Sequence, residues 1–290
     1  MKTVLITGSS NGFGYLSALT LARNGHRVWA TMRDINGKNR IKKEELEKIA
    51  LEEKISITIA ELDVTSDKST NDLVARILTE EKSGLDVLVN NAGVMYVGIT
   101  EAYSIKQAQE QFDTNFFGVI RTSKAFLPFL KKSSDGLIVN ISSLAGRLVF
   151  PYFGIYCASK FALEAYSQSL KYELKPMGVD VSVIEPGPYP SGLLYSGPEE
   201  EDKTTLESYG EMANVPKAML QNFDQFYKSD ESPNPQEIPN AILKVVEMEK
   251  GNRPIRQAVG VDYNTNELNS IVSPIQENLI KEALQMEHLI

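Results

Sequence analysis

The sequence of 290 residues predicts an α/β fold. Short apolar runs rich in β-branched residues alternate with helical patterns, which is the order typical of a parallel sheet covered by helices. The first such run, residues 2–7, leads directly into the glycine cluster GSSNGFG at residues 8–14. A helical pattern follows and reaches Asn24 and Gly25, a plausible C-cap. A strand, a glycine turn and a helix N-terminus together allow the backbone to approach a pyrophosphate.

The same alternation continues along the chain. We expect further strands at residues 27–31, 55–60, 85–89, 137–141 and 180–184, with a last edge strand at 258–261. Between and after them, helices are predicted at residues 42–53, 66–82, 104–129, 156–175, 235–250 and 273–290. We find no internal repeat, low-complexity segment or second domain.

The most informative stretch is residues 137–160, LIVNISSLAGRLVFPYFGIYCASK. A buried strand ends at Ser143, and Tyr156 and Lys160 lie four residues apart, hence on one face of the next helix. A free tyrosine has a pKa of about 10, which a neighbouring ammonium lowers. Such a tuned group suits proton transfer to a reacting oxygen, which a serine hydroxyl could hold in place. Taken alone, however, Tyr-x-x-x-Lys is more typical of a half-exposed helix face.

Several motifs share the order found in one family. They are Thr7-Gly8-x-x-x-Gly12-x-Gly14, Asn90-Asn91-Ala92-Gly93, Asn115 within TNFFG, the set Ser143, Tyr156 and Lys160, and Pro186-Gly187. With them, residues 3 to about 191 resemble the short-chain dehydrogenase/reductase family. The resemblance implies a doubly wound, Rossmann-type sheet of about seven parallel strands in a single domain, residues 1–290. It also implies oxidation or reduction that depends on a nicotinamide cofactor.

The resemblance also assigns roles to individual residues. Tyr156 would transfer the proton, Lys160 would lower its pKa and bind the ribose, and Ser143 would position the substrate oxygen. Asn115 would hold a water in a proton relay to Lys160. The implied cofactor-binding residues are Gly8, Ser10, Asn11, Gly12, Phe13, Gly14, Arg33, Asp63, Val64, Asn91, Ala92, Gly93, Tyr156, Lys160, Pro186, Gly187 and Ser191.

Two of these assignments have alternatives. Asp63 and Val64 occupy the place where the family contacts adenine, but Asp63 is also suited to a turn or to capping the next helix. Ser191 stands where the family often has a threonine that binds the nicotinamide amide. The prolines Pro188 and Pro190 leave the local geometry open.

The end of the second predicted strand indicates NADP rather than NAD. Enzymes that use NAD usually have an acidic residue here, which bonds both ribose hydroxyls. This chain has Met32 followed by Arg33, and arginine can hold a phosphate through two hydrogen bonds. Three points oppose the interpretation. The family's other basic position holds Asn11, Asp34 could turn inward, and Arg33 alone would suit a solvated surface.

Residues 192–235 do not match the family pattern, and we interpret them as a substrate lid. Their acidic run, residues 199–202, is expected to be a solvated surface. Apolar residues cluster where the family has its substrate pocket: Met95, Tyr96, Leu144, Val149, Phe153, Leu193 and Leu194. The pattern favours a bulky apolar or aromatic ketone or aldehyde, unless these side chains only pack the lid against the body.

The composition argues against several classes of binding partner. The net charge of −8 argues against nucleic acid, and the single cysteine, Cys157, excludes an intrachain disulfide and suits a reducing compartment. The two histidines, His26 and His288, have no metal-ligand spacing, so no metal is expected. We see no signal peptide or long apolar span, which favours a cytoplasmic protein without a membrane partner. The family resemblance implies that the protein forms a homodimer or homotetramer.

Two other functions remain compatible with parts of the sequence. A dinucleotide-binding sensor or regulator would keep the glycines but would not need Asn115, Ser143, Tyr156 and Lys160. A sugar-nucleotide epimerase or dehydratase would usually have a longer C-terminal region and a different glycine spacing. The sequence therefore favours a carbonyl reductase or alcohol dehydrogenase.

Overall fold

The computed structural model describes residues 1–81 and 84–290. Within them the chain forms a seven-stranded parallel sheet in the order β3-β2-β1-β4-β5-β6-β7. The strands are β1 (Thr3–Ile6), β2 (Arg27–Met32), β3 (Ile57–Glu61), β4 (Val87–Asn90), β5 (Gly136–Ile141), β6 (Val179–Pro186) and β7 (Arg256–Val259). This confirms the predicted doubly wound, Rossmann-type sheet.

The strand order reverses between β1 and β4. From β1 the chain builds outward to β3, then returns to pair β4 with the other side of β1, where Val4 lies opposite Val87. In open α/β sheets, ligands bind at the carboxyl ends of the strands at such a reversal. The loops after β1 and β4, which carry the glycine cluster and Asn91, are therefore neighbours.

Helices cover both faces of the sheet. They are α1 (Gly12–Arg23), α2 (Arg40–Glu53), α3 (Asp67–Glu80), α4 (Ile105–Phe112), α5 (Gly118–Leu130), α6 (Gly154–Leu174), α7 (Lys203–Ser208), α8 (Val215–Phe226), α9 (Glu237–Glu247) and α10 (Thr265–Asn278). The predicted end of the third helix, Lys82, lies outside the described residues. The helix predicted over 104–129 is α4 and α5 joined by a π turn, Asp113–Phe117.

Each face of the sheet has its own apolar core. On one face, α1 and α9 pack Leu19 and Ile242 against the strands. On the other face, α3, α5 and α6 contribute Leu73, Phe126 and Leu170. Because both faces are covered, the strands read as nearly continuous β-branched runs rather than as alternating patterns.

The last helix begins earlier than predicted. The pattern indicated residues 273–290, whereas α10 begins at Thr265, ends at Asn278 and continues as a π turn over Leu279–Ala283. Buried polar residues, not an apolar stripe, hold its first turns: Asn269 donates a 2.6 Å hydrogen bond to Glu185. Hydrophobic periodicity therefore could not reveal this start. Within the described residues, no helix combines the length and apolarity needed to cross a membrane.

Candidate active site

A cleft of about 960 Å³ lies at the carboxyl edge of the sheet. Loops that follow the strands form its walls, and residues 191–196 and α8 close one side. Nearly every residue predicted for catalysis or cofactor binding lines it: Gly8, Ser10, Asn11, Gly12, Phe13, Arg33, Asp63, Val64, Asn91, Ala92, Gly93, Ser143, Tyr156, Lys160, Pro186, Gly187 and Ser191. Gly14 and Asn115 lie behind the surface of the cleft.

The glycine loop presents backbone to the cleft. Gly8 and Gly12 have φ angles of 71° and 55°, which residues other than glycine rarely adopt. A Cβ on Gly8 would lie 2.9 Å from the Cα of Ala92, whereas one on Gly12 would meet no atom within 4 Å. Gly12 thus leaves open space in front of the N-terminus of α1. This cradle fits a pyrophosphate, which the free N–H groups of a helix start attract.

Gly14 supports the same loop from behind. A Cβ at this position would overlap the carbonyl oxygen of Gly8 and the side-chain nitrogen of Asn91. That nitrogen donates to Thr7 O at 2.9 Å and to Gly8 O at 3.0 Å, which ties the loops after β1 and β4 together. Gly14 therefore sets how closely α1 approaches the loop.

We expect Gly14→Ala to lower the free energy of unfolding by about 1–3 kcal/mol, because the Gly8 carbonyl is backbone and cannot move aside, and the Asn91 side chain is tied to that loop. Cofactor affinity should fall as well, since α1 would be pushed away from the glycine loop. Thermal unfolding and NADPH fluorescence titration measure both effects. Gly192→Ala is the stability control, because a Cβ at Gly192 meets no atom within 4 Å. Equal stability of the two variants would contradict this packing role.

Tyr156, Lys160 and Ser143 meet at the centre of the cleft. Tyr156 and Lys160 are 2% and 5% exposed, and the Lys160 Nζ lies 5.8 Å from the centre of the Tyr156 ring. The same Nζ donates a 2.9 Å hydrogen bond to Ile141 O at the end of β5. Ser143, two residues further on, accepts from Ala145 N at 3.1 Å and interacts with Tyr156. The loop 144–153 thus folds back as the sequence requires.

Burial sets the charge states of this group. It raises the pKa of Tyr156 above the ordinary value, while the hydrogen bond with Ser143 lowers it. Burial also lowers the pKa of Lys160 to about 8, against the opposing charge of Glu164. The sequence predicted a net lowering for Tyr156 by Lys160. The net direction is opposite, because desolvation of the phenolate outweighs the other contributions. At neutral pH Tyr156 therefore holds its proton.

Asn115 occupies the π turn between α4 and α5. Its side chain accepts from Val94 N and donates to Val94 O, both at 2.8 Å, and donates to Ser159 at 3.1 Å. These bonds explain why a helix interior tolerates an asparagine, and single π turns are frequent at functional sites. They join the loop after β4 to α6. The water-relay role stays a prediction.

The end of β2 forms the rim of the cleft. Met32 is buried and Arg33 is exposed, while Asp34 adopts a φ of 48° and accepts from Lys38 N at 2.7 Å. The carboxylate of Asp34 is therefore engaged with its own turn. Lys38 and Asn39 line the cleft beside Arg33. Sequence reasoning missed Lys38, although a turn through Asp34 and Gly37 could have indicated it.

Asp63 is held by its own turn. It accepts from the backbone and hydroxyl of Thr65 at 2.9 and 2.7 Å. This is the alternative that the sequence left open, although Asp63 and Val64 both line the cleft. Adenine contact by these residues stays a prediction.

The opposite end of the cleft is apolar and aromatic. Five of the seven predicted pocket residues line it: Met95, Leu144, Phe153, Leu193 and Leu194. The prediction is wrong for the other two, Tyr96 and Val149. Tyr96 is turned into the body and packs 5.6 Å from Tyr103, and Val149 is 72% exposed. Phe223 and Tyr227 of the predicted lid also line it, whereas sequence reasoning missed Phe150, Tyr189 and Tyr263.

The acidic run 199–202 is only partly a solvated surface. Glu200 is half-buried and accepts a 2.8 Å hydrogen bond from Ile99 N, and Gln107 donates to Glu199 O at 2.7 Å. A Cβ on Gly98 would overlap the Glu200 carboxylate. The expectation of a solvated run is thus wrong for Glu200, which ties this segment to the loop after β4.

Comparisons with known proteins agree with this geometry. The family model described as short chain dehydrogenase matches residues 2–201. A 3-ketodihydrosphingosine reductase from Bacteroides thetaiotaomicron is 33% identical over 260 residues, which cover 89% of this chain and 88% of the relative. Retinol dehydrogenase 8 from Homo sapiens is 37% identical over 275 residues, covering 91% and 83% of the two chains.

A solved structure gives the same architecture. The alcohol dehydrogenase from the archaeon Thermococcus sibiricus, complexed with 5-hydroxy-NADP, superposes with a TM-score of 0.72 at 26% sequence identity. The superposition covers 90% of this chain and 97% of that one.

Proposed function

The chain belongs to the short-chain dehydrogenase/reductase family, and we propose that it interconverts a bulky apolar ketone or aldehyde and its alcohol with NADP(H). The observation that carries the proposal is that Ser143, Tyr156 and Lys160 meet in a cleft that has the glycine loop at one end. When bound, the nicotinamide supplies or takes up the hydride. Following NADPH and NADH absorbance against a panel of ketones, aldehydes and alcohols tests it.

The protein would handle the proton. In reduction, the protonated Tyr156 donates to the carbonyl oxygen, and the Ser143 hydroxyl holds that oxygen. The ammonium of Lys160, buried nearby, stabilises the phenolate that remains. Asn115 braces the loop after β4 against α6. The raised pKa of Tyr156 keeps the proton on the phenol at neutral pH, so the proton is present before substrate arrives.

The rim of the cleft supports NADP. Arg33 and Lys38 add two cations there, and the carboxylate of Asp34 is already bonded to Lys38 N. A phosphate on the adenosine ribose would gain from both cations. The similar Thermococcus sibiricus enzyme was solved with an NADP derivative, which agrees with this choice.

The apolar end of the cleft supports a large substrate. The rings of Phe223, in α8, and Tyr227, just after α8, stack with their centres 6.0 Å apart, and the ring centres of Phe150 and Tyr263 lie 6.4 Å apart. Two similar proteins are named for lipid substrates, 3-ketodihydrosphingosine and retinol. We therefore assign a lid role to residues 192–235, whose α8 closes this side. The family's use of the helices corresponding to α5 and α6 at subunit interfaces supports a homodimer or homotetramer.

In a series of methyl ketones of increasing chain length, we expect kcat/KM to rise with each added methylene. A fully buried methylene contributes about 0.8 kcal/mol, or roughly fourfold. NADPH oxidation rates across the series give the slope. Phe223→Ala should flatten the slope for the longest ketones, because it removes an aromatic wall of the cleft. Higher catalytic efficiency with small keto acids than with long-chain ketones would contradict the substrate class.

A further inference from the structure

A buried cluster of charges lies directly behind Lys160. Glu164 follows Lys160 by one turn of α6 and is 3% exposed, and Glu185, on β6, is fully buried. Arg256 of β7 bridges them: its Nε lies 2.8 Å from Glu164 and 3.7 Å from Glu185. Two carboxylates beside one guanidinium are costly to bury, so a structural role alone is a weak explanation for them.

The cluster contacts the loop that follows Ser143, residues 144–153, at Gly146. A Cβ built on Gly146 would lie 2.8 Å from Ser142 Oγ, 2.8 Å from Glu164 Cγ and 3.1 Å from Lys160 O. Ser142 immediately precedes Ser143 and lines the cleft, whereas Glu164 lines a second cavity of about 510 Å³. The carboxylate of Glu164 is thus separated from the active site by one thin layer of protein.

Other groups hold the cluster in place from each neighbouring element. Arg256 also donates to Gln168 of α6, and Asn269 of α10 donates to Glu185 at 2.6 Å. Arg147, in the loop after β5, lies 4.0 Å from Glu185. Among the described residues, one oxygen of Glu164 and one of Glu185 are buried without a hydrogen-bond partner. Arg256 therefore holds Glu164 through one carboxylate oxygen, and the other oxygen is buried.

We propose that Glu164 is a positioning residue for Lys160, whose carboxylate, fixed by Arg256, keeps the buried ammonium charged across the neutral pH range. The inference rests on the proposed role of Lys160 in catalysis. Tyr156, the other titratable group beside Lys160, is neutral while it holds its proton. The guanidinium of Arg147 lies at Glu185 and that of Arg256 lies between Glu185 and Glu164, and Glu164 is the carboxylate one helical turn from Lys160.

The two carboxylates act on each other. Burial and the neighbouring Glu164 raise the pKa of Glu185. The charge of Glu164 opposes the lowering of the Lys160 pKa by burial. Removing it should let that pKa fall further, because a cation loses its nearby anion.

The test is the pH profile of Glu164→Gln, which keeps the shape of the side chain and an oxygen that can accept from Arg256. We expect the alkaline limb of kcat/KM for carbonyl reduction to move to lower pH by roughly half to one unit. NADPH affinity, measured by fluorescence titration across the same pH range, should show the same displacement without turnover. Glu173→Gln, on an exposed part of α6, is the matched control and should not move the limb.

Two further outcomes separate charge from packing. A uniform loss of rate at every pH, with the limb unmoved, would overturn the inference and leave Glu164 a packing residue. Glu164→Asp keeps the charge, so the alkaline limb of its kcat/KM profile should stay close to that of the wild type even if the variant is less stable. A displaced limb in Glu164→Asp would also overturn the inference. Wild-type protein without NADPH turnover would contradict the proposed function, whereas an unmoved limb contradicts only this inference.

Discussion

We expect Tyr156→Phe to lower kcat for carbonyl reduction by about 10²–10⁴, the usual loss when a general acid is removed. The substitution deletes one buried hydroxyl and leaves the ring packed against Phe153, Cys157 and Leu194. The fold and the glycine loop should therefore be retained, and NADPH affinity should stay within a few-fold. Single-turnover rates measure the first quantity and fluorescence titration measures the second.

The control for this variant is Tyr166→Phe, the same change on the same helix. Tyr166 packs 6.1 Å from Phe116 and does not line the cleft, so its substitution should leave kcat unaffected. Lys160→Ala should differ from both, damaging turnover and NADPH affinity together. Near-normal turnover in Tyr156→Phe would remove Tyr156 from the mechanism.

The sheet could be predicted because its strands are buried on both faces. Each strand was located within about two residues, since continuous β-branched runs such as residues 137–141 have few alternatives. Local spacing located part of the site, while the roles of its residues came from the family resemblance. Tyr156 and Lys160 share a helix face, and Gly8 and Gly12 adopt the left-handed backbone that favours glycine. Such features depend on a few neighbouring residues, so the sequence reveals them.

Features that depend on several distant segments were not predicted. The cluster around Glu164 joins α6, β6, β7 and α10, and no local pattern connects Glu185 with Arg256. Glu200 was taken for solvated surface because its partner, the backbone of Ile99, is about a hundred residues away. The net pKa direction of Tyr156 was missed for a related reason. Spacing indicates the neighbouring lysine, but only the folded chain shows that the ring is buried.

We expect the wild-type enzyme to prefer NADPH to NADH in catalytic efficiency. The two cofactors differ by one phosphate on the adenosine ribose, and β2 ends at Met32 where NAD enzymes usually have an acid. Arg33 is exposed at the rim of the cleft, and Asp34 is bonded to its own turn. A charge-assisted hydrogen bond contributes about 1.5–3 kcal/mol, which corresponds to roughly 10–100-fold in affinity.

The variant Met32→Asp/Arg33→Ala should reverse this preference. The new carboxylate would repel the phosphate and accept from the ribose hydroxyls, while loss of Arg33 removes the cation that favours NADPH. Lys38→Ala should lower the NADPH preference less, because its ammonium is a point charge without the fork of arginine. Arg40→Ala is the control: Arg40 is exposed, pairs with Glu44 and does not line the cleft. A wild type that prefers NADH would refute the assignment, and an unchanged ratio in the double variant would show that Arg33 does not read the phosphate.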